Sequence, residues 1–202
     1  MSNVTLVDIL SANKSPGWPC FNVIGYNIPV PIYTKKGDKG ETGLYGTKRR
    51  CSKDSLIFDA IGGIDELNSY LGVCVSHSDN PRTSEILVSI QKDLLTIGSI
   101  LAGSDLKFYA NRSTRLEKII DKLDEAMLEL KNFIVPGGTV LASHLHFARS
   151  LSRRAERGVV RVNNKENVKP QILIYLNRLS DLLFTFARYA NYEVEVEDEI
   201  WK

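Results

Sequence analysis

From residue 55 onward the apolar residues fall at three- and four-residue steps, in five successive stretches. That spacing places them on one face of an α-helix, and a face of this kind must be buried against another. Ile86, Ile90, Leu94, Ile97 and Leu101 form one such row. Leu116, Ile119, Ile120, Leu123, Met127 and Leu130 form another, and Ile172, Leu176, Leu179, Leu183 and Phe186 a third. The pattern predicts helices over 55–77, 83–103, 112–132, 138–163 and 170–191. Pro81 and Pro136 punctuate the joints, and Pro170 suits the first turn of the last helix. Short connections between amphipathic helices predict an all-α, five-helix bundle with adjacent helices antiparallel, the up-down packing of ferritin-like folds. A di-iron site of the ferritin kind is excluded, because no Glu-x-x-His pair lies on any of the five helices.

A chain of 202 residues is long enough to bury a sizeable core as one domain. Its 26 basic and 24 acidic residues leave a net charge of +2, so no general affinity for nucleic acid is expected, and a basic site must come from local clustering. Cys20, Cys51 and Cys74 are odd in number and share no C-x-x-C spacing, which points to reduced thiols rather than a disulfide frame or a zinc site. The apolar stretches fall short of a membrane span. Residues 1–31 read as an irregular leader. Its apolar run is too short for a secretory signal, and Arg49 is the first arginine, against a transit peptide. A cytoplasmic location is expected, or a mitochondrial one in a eukaryote. Residues 32–53 are rich in glycine and basic residues and read as a linker or as a loop that folds around a ligand. Residues 193–202 read as an acidic, solvated tail.

The fourth helix carries the strongest chemical signal. Arg149, Arg153, Arg157 and Arg161 recur every four residues and form one cationic stripe, with Arg154 and Glu156 beside it. Leu145, Ala148, Ser152, Ala155 and Val159 make an opposite edge small and apolar enough to pack. Like charges at this spacing repel, so either anions answer them from outside or acids on neighbouring helices do. The first reading is a polyphosphate clamp, since the guanidinium fork matches phosphate. The second is an ordinary solvated face. Thr34, Lys35, Gly37, Asp38, Gly40, Thr42 and Gly43 offer hydroxyls, backbone N–H groups and a lysine, which are the parts of a phosphate cradle, although no Walker spacing is present. With Lys53 and the stripe they suggest ATP. His144 and His146 point about 200° apart on a helix and cannot share a metal. No serine–histidine–aspartate arrangement for acyl transfer stands out.

Together these segments resemble the PduO-type ATP:cob(I)alamin adenosyltransferases over residues 32–192. The motifs are TKKGDKGETGLYG, Lys53, DELNSYLG at 65–72, FIVPGGTVLASHLHFARSLSRRAER at 133–157 and YLNRLSD at 175–181. The resemblance implies a five-helix bundle assembled as a homotrimer with active sites between subunits. The implied reaction moves the 5′-deoxyadenosyl group of ATP to the cobalt of cob(I)alamin, with magnesium accompanying ATP. It assigns Thr34, Lys35, Lys36, Gly37, Thr42, Gly43 and Lys53 to ATP. Arg153, Arg154, Ala155, Glu156, Arg157 and Asn177 join them. Asp65 and Arg149 match an intersubunit salt bridge, and Phe133 an aromatic at the lower face of the corrin. Arg153, Arg157 and Phe133 are the expected catalytic residues. The resemblance leaves room for a cobalamin reductase and an adenosylcobalamin-dependent enzyme as partners. Two other readings fit the residues alone: an ATP- or polyphosphate-binding bundle without chemistry, and a structural trimer whose arginines make only interface salt bridges.

Overall fold

The computed structural model describes residues 33–45 and 50–202. The expected leader, Cys20 and parts of the glycine-rich segment lie outside the described residues. The chain divides into a unit ending at Lys39 and a unit from Gly40 to Lys202. In the second unit the expected five helices are present: α1 (Leu56–Ser76), α2 (Pro81–Leu101), α3 (Asn111–Asp124), α4 (Val140–Asn163) and α5 (Pro170–Tyr192). Ahead of them stands a feature the sequence pattern did not announce, a two-stranded antiparallel hairpin of β1 (Glu41–Gly43) and β2 (Arg50–Ser52). It is extended by a bond from the Lys53 N–H to the Gly40 carbonyl at 2.9 Å.

The helix starts follow from local chemistry. Asn80 caps α2 by accepting from the N–H groups of Arg82 and Thr83, and Pro81 fills a first-turn position that needs no donor. Thr139 caps α4 by accepting from the Ala142 N–H, and Pro170 opens α5. The expected apolar rows line the core, except at the end of the third helix's row, where Leu130 is exposed. Ile90, Leu94, Ile97, Leu116, Ile172, Leu176, Leu179 and Leu183 are all fully buried.

Pairwise contacts give each helix its direction. Ala60 faces Gly158, Gly63 faces Ala155 and Tyr70 meets His144, so α1 and α4 run antiparallel. A Cβ on Gly158 would stand 3.4 Å from the Ala60 Cα, and one on Gly63 would stand 3.5 Å from the Ala155 Cα. Small residues on both sides thus let the two backbones approach. Gly72 lies beside Gln91 and Ile64 beside Gly98, so α2 is antiparallel to α1. Asn177 faces Glu156 and Phe184 faces His146, so α5 is antiparallel to α4. Gly103 follows α2 at φ +102°, and the Tyr45 carbonyl of the hairpin occupies the space where its Cβ would stand.

Two expectations need correction. The third helix stops at Asp124 rather than 132. Its last N–H groups tighten to i→i−3 bonds, Ala126 to Leu123 and Met127 to Asp124, and the chain then leaves the helix axis. The Leu128 carbonyl is taken by Arg188 of α5 instead of by a further helical turn. Nor is the tail simply solvated. Ile200 pairs with Ile134 in an antiparallel bridge, and Asp198 accepts from the Arg188 Nε at 2.8 Å.

Among the described residues, one buried charge of the bundle is Asp93 of α2, which is 4% exposed. It accepts from Arg112 and Arg115 of α3 and from the Tyr175 hydroxyl of α5 at 2.9 Å. Both carboxylate oxygens are used, and the short α3 is thereby fastened to two neighbours. Burial, then the Asp93 charge, push the Tyr175 phenol well above its ordinary range, so it stays a donor. Asp93→Ala strands the phenol in the core while the two arginines regain water. It should cost about 2–4 kcal/mol in urea unfolding, with loss of α3 helicity by circular dichroism.

Candidate functional site

The stripe on α4 is resolved into paired and unpaired members. Arg154 forms a salt bridge with Glu66, and Arg161 one with Asp59, both from α1. The Arg149 guanidinium stands over the Phe184 ring, 5.7 Å from its centroid. Arg153 and Arg157 are exposed and make no ion pair among the described residues. Acids therefore answer Arg154 beside the stripe and Arg161 at its far end, while Arg149, Arg153 and Arg157 have no ion pair among the described residues, Arg153 and Arg157 standing exposed one turn apart. At that spacing they repel, and an anion spanning both removes the repulsion.

The surroundings fit such an anion. Glu156 lies between the two arginines in sequence and accepts from the Asn177 Nδ2 at 3.2 Å, which joins the α4 and α5 sides of the site. Ala155 is buried against Gly63 and sets how closely α4 lies on α1. Asp65 is exposed on α1, and neither it nor Arg149 has an ion-pair partner among the described residues. The first unit, taken by itself, ends in a turn, with Lys35 at φ +57°, its ammonium 5.7 Å from the centroid of the Tyr33 ring, and the Lys36 N–H 3.5 Å from the Thr34 hydroxyl. Gly37 belongs to the same turn. Thr42 and Gly43 are in β1, and Lys53 follows β2.

Phe133 lies in the connection between α3 and α4, and its side chain is 81% exposed, a large apolar surface left open to solvent. Behind it, Gly138 at φ +100° ends the Pro136–Gly138 turn against Asn191 of α5. Asn191 is 2% exposed and was not singled out from the sequence, although a polar residue among the apolar positions of α5 calls for a partner. The histidines divide. His144 takes the Tyr70 hydroxyl at 2.7 Å. His146 is buried edge-on to Phe184, and burial, then the Arg149 charge, lower its pKa and keep it neutral. Burial pushes the Cys74 thiol up to about 12, which makes it an inert core residue. No group of three histidine, cysteine, aspartate or glutamate side chains is placed to hold a metal among the described residues. No described helix is long and apolar enough to cross a membrane.

An open pair of arginines on a helical bundle, with an exposed aromatic on the connection that leads into the same helix, fits a helical protein that binds an anion and also offers an apolar surface. Comparison with known proteins is more specific. The family described as Cobalamin adenosyltransferase matches residues 32–190, and the chain belongs to that family. The corrinoid adenosyltransferase of Bacillus subtilis is 43% identical over 170 residues, 80% of this chain and 87% of the relative. Corrinoid adenosyltransferase MMAB of Homo sapiens is 38% identical over 182 residues, 84% of this chain and 72% of the relative. A variant PduO-type ATP:corrinoid adenosyltransferase from Lactobacillus reuteri, solved in complex with cobalamin and ATP, superposes with a TM-score of 0.82. It is 39% identical and covers 85% of this chain and 97% of its own. A second variant of that enzyme, in complex with ATP, gives a TM-score of 0.79 at 40% identity over 85% of this chain.

The division of the stripe makes a prediction that needs no cobalamin. In calorimetry with tripolyphosphate, Arg153→Ala and Arg157→Ala should each weaken binding by about tenfold or more. Arg161→Ala, whose charge is already answered by Asp59, should leave it within about twofold. Equal losses at all three positions would mean a diffuse positive field rather than a clamp.

Proposed function

We propose that this chain transfers the 5′-deoxyadenosyl group of ATP to the cobalt of cob(I)alamin, forming adenosylcobalamin and releasing triphosphate. Family membership supports the reaction, and the unpaired Arg153 and Arg157 are the observation in this chain that carries it.

The chemistry asks for little acid–base help. Co(I) is a strong nucleophile: its electron pair forms the bond to C5′, and the C5′–O bond breaks with its electrons leaving on triphosphate. No proton needs to be abstracted. The difficulty lies in a leaving group that gains negative charge as it departs, and fixed cations placed there in advance lower that barrier. Arg153 and Arg157 fill this role, with Lys35 and Lys53 as further cations. Arg154 is held by Glu66 and shapes the floor of the site. Thr34, Lys36, Gly37, Thr42 and Gly43 supply hydroxyl and backbone donors to ATP, and Glu156 with Asn177 orients the nucleotide. Ala155 keeps the arginine turn flush with α1. Holding C5′ in line with cobalt is a positioning task, which a segment closing over ATP would serve.

Magnesium fits as a passenger on the nucleotide. It keeps several waters and needs only one or two carboxylates besides phosphate oxygens, and Glu156 is the carboxylate nearest in sequence to the clamp. When bound it supplies further charge neutralisation on the phosphates. Phe133 presents its ring to the lower face of the corrin and excludes water and the lower nitrogen ligand. Cobalt without axial ligands is easier to reduce to Co(I).

Asp65 and Arg149 pair across a subunit boundary in a homotrimer, which accounts for two charged residues left without an ion pair inside the chain. A reductase delivering Co(I) and an enzyme accepting adenosylcobalamin are the expected partners. The setting is the cytoplasm, or the mitochondrion in a eukaryotic cell.

The test is the absorbance change on formation of the cobalt–carbon bond, with purified protein, ATP and reduced cobalamin. Arg153→Ala should lower kcat by about 10²–10³-fold. Unchanged adenosylation in that variant would sink the clamp, and no product from the unaltered protein would leave a nucleotide-binding bundle without chemistry. Phe133→Ala should slow turnover far more than it weakens ATP binding, read as kcat against ATP affinity. Equal losses would count against its place below the corrin.

A further inference from the structure

Phe133 stands on a connection that has left α3 and has not yet entered α4, so no helix fixes its backbone. Its position is set from the other end of the chain. The Val135 N–H donates to the Glu199 carbonyl at 2.7 Å, and the Trp201 N–H donates to the Phe133 carbonyl at 2.9 Å. The connection is thereby paired, on both sides of Ile134, with the tail. The tail is in turn anchored by Arg188 of α5, whose guanidinium donates through Nε to Asp198 at 2.8 Å and through Nη2 to the Leu128 carbonyl at 2.9 Å. One side chain thus grips the tail and the start of the connection together.

Asn191, one turn further along α5, grips its end. Its Oδ1 accepts from the Thr139 N–H at 2.9 Å, and its Nδ2 donates to the Gly137 carbonyl at 3.1 Å. Arg188 is 9% exposed and Asn191 is fully enclosed, so these bonds are shielded from competing water. Side-chain packing contributes less here. A cavity of about 600 Å³, open to solvent and lined by Leu128, Leu130, Ile134, Tyr192, Val196 and Ile200 among others, lies beside the paired segments. The connection is therefore held by hydrogen bonds beside a loosely filled space.

We propose that Arg188, Asn191 and Asp198 are positioning residues for Phe133, acting through the paired tail to set the ring against the lower face of the corrin. This rests on the reading of Phe133 given above. It gives the acidic tail a part in the reaction without any contact with ATP.

The experiment uses the full chain and four variants. The readouts are ATP binding by calorimetry, thermal midpoint, turnover, and the spectrum of cobalt(II) lacking axial ligands when cob(II)alamin and ATP are added. Asp198→Ala removes the anchor. Trp201→Pro removes one N–H from an exposed tail residue and leaves the bundle core untouched. Both should lose the axial-ligand-free signature several-fold and slow turnover, while ATP affinity stays within about twofold. Trp201→Ala keeps the N–H and should retain the signature. Wild-type signature and turnover in both Asp198→Ala and Trp201→Pro overturn the proposal, as does a loss in Trp201→Ala equal to that in Trp201→Pro, which would place the effect in the indole. Phe133→Ala separates the two levels. If it keeps the signature, the reading of Phe133 itself falls; if it loses the signature while both anchor variants keep it, only the positioning role falls.

Discussion

The structure depends on α4 meeting two opposite demands along one helix. One face must lie close enough to α1 for Gly63 to touch Ala155 and for Ala60 to touch Gly158. The other must hold cations at a spacing at which they repel one another. Close packing settles where the backbone runs, and the acids of α1 settle which charges remain. Asp59 and Glu66 lie on the same helix that makes the close contact, so the contact that builds the bundle also answers Arg161 and Arg154 and leaves Arg153 and Arg157 among the stripe's arginines without an ion pair. Neutralising every arginine would give a quieter surface and no site. Neutralising none would load α4 with repulsion that an anion would have to relieve before the helix packed well. The arrangement lies between, with repulsion confined to the successive positions Arg149, Arg153 and Arg157.

Much of this was legible beforehand, for a physical reason. The helices announce themselves because their apolar period is long and repeated, as in Ile172, Leu176, Leu179 and Leu183, and burial follows period directly. The arginine stripe is equally visible, because a four-residue recurrence survives any packing of the helix. Which arginines are neutralised was not legible. That depends on α1 crossing α4 in one register, and a pairing across about a hundred residues leaves no local mark. The same holds for the end of α3. Met127 and Leu130 continue its apolar period, yet the chain departs at Asp124 because Arg188, far along the sequence, claims the Leu128 carbonyl. The hairpin escaped because its strands have three residues each, too few to display an alternation.

The tail was misread for a related reason. Five acids among residues 193–199 look solvated when counted by composition. One of them, Asp198, has a nearly buried arginine waiting for it, and the backbone around Ile200 pairs with Ile134. Composition describes a segment's average and says nothing of the carboxylates that have partners, Asp198 with Arg188 and Glu193 with the Asn80 amide. Asn191 teaches the converse. One polar residue near the end of an apolar helix carries almost no weight in any count, yet it joins the turn before α4 to α5 through donor and acceptor atoms at once.

Gly103 has a consequence of its own. A side-chain carbon on residue 103 would stand only 2.9 Å from the Tyr45 carbonyl oxygen, so the chain just after β1 lies in a notch left by a missing methyl group. That notch acts as a doorstop. It sets how closely Tyr45 can approach the end of α2, and filling it with even an alanine would press on the Tyr45 carbonyl without altering any residue around β1.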